Sequence, residues 1–132
     1  MRVVIDTNVI VSAFLSPSGK PAQILRMALQ RELVICIDTA ILVEYEQVLS
    51  RPKFCGKMHA QEIRRFIDLL YDIGVVINST SGHVALADES DRKFYDVSKA
   101  SGAVLITGNQ KHYPDEPWIK DPASFLEHLQ RN

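Results

Sequence analysis

The sequence predicts an α/β fold: a central, mainly parallel sheet of four to five strands flanked by helices. Three observations carry this. Short β-branched or aliphatic runs recur along the chain: VVI at 3–5, LVICI at 33–37, VVIN at 75–78 and AVLIT at 103–107. Each gives way to polar or turn-forming residues, as buried parallel strands do. Between them lie stretches with apolar residues at helical spacing.

In chain order, 3–5 is a buried strand and 7–15 continues as a helix despite its valines. SPSGKP at 16–21 is a loop by composition. A helix over 22–31 places Ile24, Leu25, Ala28 and Leu29 on one face. The second strand is 33–37, and Asp38-Thr39 supplies an N-cap for a helix running to about Ser50. Pro52 ends it. Residues 59–72 form an amphipathic helix with Ile63, Phe66, Ile67 and Leu70 inward, stopped by Gly74. The third strand is 75–78, 79–83 is loop, 91–101 is helix, and 103–107 is the fourth strand, closed by a Gly108-Asn109 turn. KHYPDEP at 111–117 is loop, and 118–120 is a short edge strand. Asp121-Pro122, a cap followed by proline at the first position, starts a last helix reaching about Gln130.

The 132 residues show no repeat, linker or low-complexity segment, so a single domain over 1–132 is expected. A net charge of -1 argues against a protein that coats nucleic acid by charge alone, but leaves room for an enzyme that grips it locally. No apolar stretch approaches a membrane span, and Asp6 interrupts the only N-terminal run that could resemble a signal peptide. Cys36 and Cys55 fall in no metal spacing and read as reduced thiols of a cytoplasmic protein.

In such sheets, ligands bind beyond the carboxyl ends of the strands. Asp6 ends the first strand there, Glu44 lies on the helix after the second, and Asn109 follows the fourth. Asp88 and Asp91 open the helix before the fourth strand. Glu44 borders the apolar face formed by Ile41, Tyr45 and Val48, and Asp91 borders the face carrying Phe94 and Ser98. Two carboxylates about 4 Å apart repel by roughly 4 kcal/mol at an effective dielectric near 20. Either one takes up a proton or a cation joins them. Oxygen-only ligands suit Mg²⁺ or Mn²⁺, which activate water and stabilise charge on a phosphate.

Plainer roles compete at each position. Asp6 is as well suited to capping the following helix as to binding metal. Asp88 is best read as a helix cap, and Asp91 is not. Glu44 fits a solvated helix-border acid, Thr107-Gly108-Asn109 fits a simple turn, and His59 and His112 fit surface histidines.

VVIDTNVIVSAFLSPSGKPAQIL (3–25), EYEQVLSRPKF (44–54), ADESDRKFYDVSKASGAVLITGNQKHYP (87–114) and DPASFLEHL (121–129) together resemble the PIN domain family, in particular its toxins of type II toxin–antitoxin systems. The resemblance implies a PIN-like α/β/α sandwich. It implies three catalytic, metal-binding acids: Asp6 after the first strand, Glu44 on the helix after the second, and Asp91 before the fourth. From Asp91 the family's spacing to Ser98, Gly102 and Thr107 is met, so Asp91 takes precedence over Asp88, which becomes an outer helper. At the fourth acidic position this chain has Asn109, a neutral ligand. Asn8 and Thr107 match positions that orient the acids. The implied activity is Mg²⁺- or Mn²⁺-dependent endoribonuclease, hydrolysing RNA phosphodiester bonds with a metal-activated water. Arg51, Lys53, Lys57, Lys93 and Lys111 are the candidates for holding the RNA backbone. The implied partners are a small antitoxin and a second copy of the chain, as a homodimer or higher homo-oligomer. The competing reading is a degenerate PIN domain serving as an RNA-binding or scaffold protein. A phosphatase of the haloacid dehalogenase type also begins with an aspartate after strand one, but needs a second aspartate where this chain has Asn8.

Overall fold

A computed structural model describes residues 1–54 and 58–131. The expectations placed on Cys55 and Lys57 lie outside the described residues. Five strands, β1 (Arg2–Ile5), β2 (Val34–Ile37), β3 (Val75–Val76), β4 (Val104–Ile106) and β5 (Ile119–Lys120), form one sheet in the order β3-β2-β1-β4-β5. Every pairing is parallel. The helices α1 (Thr7–Leu15), α2 (Lys20–Leu29), α3 (Thr39–Leu49), α4 (Ala60–Ile73), α5 (Arg92–Ser101) and α6 (Pro122–Arg131) flank it in an α/β/α arrangement.

β1 is central because Val3, Val4 and Ile5 are wholly buried, and only a strand covered on both faces and both edges accommodates three such residues in succession. Its register sets Val3 opposite Ile35 on one side, and Val3 and Ile5 opposite Val104 and Ile106 on the other. The chain winds outward from β1 through β2 and β3, then returns to place β4 on the opposite side of β1. The strand order therefore reverses between β1 and β4, and a crevice opens at their carboxyl ends. The two ends are level: the Asp6 backbone N–H donates to the Ile106 carbonyl at 2.9 Å.

The elements follow local signals, with adjustments in α2, β3 and α5. α2 begins at Lys20, two residues before the predicted start, because Gly19 takes the N-cap position and Pro21 fits the first turn. It ends at Leu29, and Arg31 turns the chain with a positive φ of 64°. β3 has two residues rather than four: the Ile77 N–H still reaches the Ile37 carbonyl at 2.8 Å, but the chain then turns polar and leaves the edge. α5 begins at Arg92, preceded by a 3₁₀ turn over Glu89–Asp91. The Asp88 carboxylate accepts from the Ser90 N–H at 2.9 Å and winds that turn, so Asp88 is a cap, as expected. The Asp38 carboxylate caps α3 through the Ile41 N–H at 2.8 Å. Gly102 closes α5 in the left-handed conformation at φ 70°, where a side chain would be strained.

α5 lies across β2, β1 and β4 and buries Phe94 and Val97 there. Tyr45 of α3 stacks near Phe94 with ring centroids 6.4 Å apart, and its hydroxyl donates to the Ile5 carbonyl. Arg92 ties the segment before α5 to the helix: its guanidinium donates to the Gly82 carbonyl at 3.0 Å and the Val84 carbonyl at 2.6 Å, and faces Glu89 at 2.5 Å. Among the described residues no helix is long and apolar enough to cross a membrane, and Cys36 is a buried free thiol.

Candidate active site

The residue after β1 is Asp6, and only 5% of it is exposed. It stands at the N-cap of α1, yet its side chain makes no capping hydrogen bond. Its Oδ2 instead accepts from the Thr107 hydroxyl at 2.8 Å and the Tyr113 hydroxyl at 2.9 Å. Oδ1 takes neither. Thr107 comes from the end of β4 and is completely buried, with its backbone N–H bonded to the Lys120 carbonyl of β5 at 3.0 Å. Its hydroxyl oxygen also accepts from the Asn109 N–H at 3.0 Å, so one side chain links the aspartate to the turn after β4. Asn8 completes the link from the other side: its Oδ1 accepts from the Gly108 N–H at 3.0 Å.

Burial pushes the Asp6 carboxyl above the usual carboxylate range, and the neighbouring Glu44 charge pushes the same way. The two hydroxyl donors pull it down without prevailing. The Tyr113 hydroxyl is driven well up by burial and then by the Asp6 charge, so it stays protonated and donates.

Asp91 ends the 3₁₀ turn before α5 without acting as a cap. Burial raises its carboxyl, and the charges of Asp6 and Asp88 add to the shift. Its Oδ2 is buried and, among the described residues, receives no hydrogen bond. His112 Nδ1 approaches that atom at 3.4 Å, too far for a well-formed bond and charged only when the imidazole is protonated. A buried carboxylate oxygen with no donor is costly on its own.

Glu44, on α3, is held between two groups. The Thr7 hydroxyl donates to its Oε2, and Lys93 Nζ of α5 pairs with its Oε1 at 2.7 Å. In this arrangement no three His, Cys, Asp or Glu side chains among the described residues group closely enough to hold a metal ion outright. The donor set nevertheless suits a hard cation: Asp6 and Asp91 are both disfavoured as anions, and the buried Asp91 Oδ2 is met, among the described residues, only by the loose approach of His112.

A groove of about 510 Å³ opens beside Glu44 and Asp91, lined also by Thr7, Asn8 and Ser12 of α1, Gln47 of α3, and Ser90. Arg51 and Lys53 also line it. Lys111 sits apart, in a depression with Gln110, Tyr113 and Asp115. Asn109 is exposed on the turn after β4, and its side chain does not cap the following 3₁₀ turn. Of the sequence candidates, the fold thus gathers Asp6, Asn8, Glu44, Asp91, Lys93 and Thr107 into one cluster, with Asp88 in the adjoining turn. Two participants escaped the sequence reading. In the sequence Tyr113 is only part of a loop, and its one signal is an aromatic residue within the polar KHYPDEP stretch. His112, read as a surface residue, has a half-exposed side chain yet faces Asp91.

Comparison with known proteins bears on the family and the fold. A family model described as PIN domain matches residues 2–111. An uncharacterized protein of Methanocaldococcus jannaschii, MJ1680, is 32% identical over 111 residues, covering 83% of this chain and 72% of that one. Among solved structures, PAE2754 from Pyrobaculum aerophilum matches with a TM-score of 0.62 at 15% identity, covering 100% of this chain and 91% of that one. VapBC2 from Rickettsia felis, solved bound to a DNA fragment from its promoter, matches with a TM-score of 0.56 at 17% identity, covering 84% and 90%. The two structural likenesses speak for the fold.

Proposed function

This chain belongs to the PIN domain family, a family of nucleases, and on that premise we propose that it is a Mg²⁺- or Mn²⁺-dependent endoribonuclease, the toxin of a toxin–antitoxin pair. The observation that carries the proposal is a buried Asp6 carboxylate whose charge reaches Asp91, where a buried oxygen is met, among the described residues, only by His112 at 3.4 Å, at the reversal point of the sheet. In this reading Asp6, Asp91 and Glu44 hold the cation, and the Asn109 carbonyl adds a neutral fourth ligand. When bound, such a cation supplies a lowered water pKa and charge stabilisation at the phosphate.

The chain's own residues do the positioning. Thr107 and Tyr113 clamp Asp6 Oδ2 and fix the plane of the carboxylate, leaving Oδ1 free of both. Asn8 holds the turn that carries Asn109. Arg51 and Lys53, on the groove wall, take the RNA backbone by charge. A small antitoxin and a second copy of the chain are the partners in this reading. The fold shared with VapBC2 of Rickettsia felis supports the antitoxin.

Incubation with a labelled total RNA pool tests the proposal. Fragments form with Mn²⁺ or Mg²⁺ and are lost with EDTA. Cleavage that persists in EDTA contradicts it. The neutral Asn109 favours one other reading, a degenerate domain that binds RNA without cutting it. Mn²⁺ and RNA binding with no fragments in any metal is the result that selects that reading.

A further inference from the structure

Lys93 occupies an unusual place for a lysine in an acid cluster. Its ammonium is fixed from three directions: Glu44 Oε1 at 2.7 Å, the Ser90 carbonyl, and the Phe94 ring, whose centroid lies 5.3 Å away. Its side chain is 20% exposed and that of Glu44 is 26% exposed, so the pair is only partly screened by water. The Thr7 hydroxyl holds the other Glu44 oxygen. Both carboxylate oxygens are thus engaged, one by a full positive charge.

We propose that Lys93 is a built-in competitor of the divalent cation for Glu44. The inference rests on the metal-site reading above and adds a regulatory element to it. One carboxylate edge cannot serve the ammonium and a metal ion at once, so metal entry at Glu44 requires Lys93 to leave. The lysine is suited to leaving: it is a point charge on a flexible four-carbon stem, with no rigid fork to dismantle. The stem roots on α5, two residues beyond Asp91, which with Glu44 lines the groove. Lys93 therefore lowers the resting affinity of the site for metal. Coupling between sites is reciprocal, so an anion that draws Lys93 off Glu44 raises that affinity. A backbone phosphate in the groove is such an anion.

The test is Mn²⁺ affinity of the metal-free protein, read from the free-ion electron paramagnetic resonance signal, which needs no RNA and no turnover. Lys93→Met keeps the stem and removes the charge. It is expected to tighten Mn²⁺ binding roughly tenfold. Arg51→Met removes an equal charge from the groove wall without touching Glu44, and is expected to shift the affinity less than twofold. Unchanged or weaker binding by a folded Lys93→Met protein overturns the proposal. An equal gain from Arg51→Met also overturns it, because the effect would then be bulk charge. Mn²⁺ bound by wild type but not tightened by Lys93→Met defeats this inference alone. Mn²⁺ bound by neither protein defeats the metal-site reading as well.

Discussion

Asp6→Asn is expected to lower metal-dependent RNA cleavage at least about a hundredfold while leaving the protein folded. The substitution keeps the shape and a carbonyl oxygen that accepts from Thr107 or Tyr113, but removes the charge a hard cation needs. Stability moves in the other direction. The Asp6 carboxyl is raised above its ordinary value, chiefly by burial, so its anion is less comfortable in the folded chain than in the unfolded one. Such a group opposes folding at pH values above its raised folded pKa, and the penalty fades as pH falls through that value toward the ordinary one. In metal-free buffer at pH 7 the melting temperature of Asp6→Asn is therefore expected at or above that of wild type, with the gap closing on acidification. Mn²⁺ should raise the melting temperature of wild type and not that of the variant. Wild-type cleavage by Asp6→Asn would remove Asp6 from the chemistry altogether.

Phe94→Ala is expected to be the most destabilising single truncation near the site, by about 3–5 kcal/mol. The ring is wholly buried where α5 crosses the sheet, stacks on Tyr45 and underlies the Lys93 ammonium. Removing it leaves a cavity that β-strands on one side and α3 on the other cannot fill without moving. For a domain of this size the loss lowers the melting temperature by roughly 10–20 °C. The damage reaches the site, because Tyr45 anchors the Ile5 carbonyl immediately before Asp6. Chemical denaturation of the two proteins measures the difference. A loss below about 1 kcal/mol would mean that α5 is not fixed to the sheet through this ring.

The fold was legible because its signals are local. Each buried parallel strand is a run of aliphatic residues, and each helix carries its own face, so VVI, LVICI and AVLIT located the centre of the sheet. The boundaries that moved are those set by a competing local preference: Pro21 drawing α2 back to Lys20, and Asp88 winding a 3₁₀ turn ahead of α5. The position of Asp6 was legible for the same reason, since a strand end is visible in one dimension. Its choice between capping and chemistry was not. That depended on Thr107 and Tyr113, a hundred or more residues away, donating to its carboxylate. Lys93 shows the same limit. Its charge marked it as a candidate for phosphate, but only the packing of α5 beside α3 brings it onto Glu44.

The most direct test of the metal centre is the anomalous scattering of Mn²⁺ in crystals of the wild-type protein. A single strong peak touching carboxylate oxygens of both Asp6 and Asp91 is the predicted result. Mn²⁺ at saturating concentration with no peak between those two residues would contradict the account, whatever RNA the protein binds.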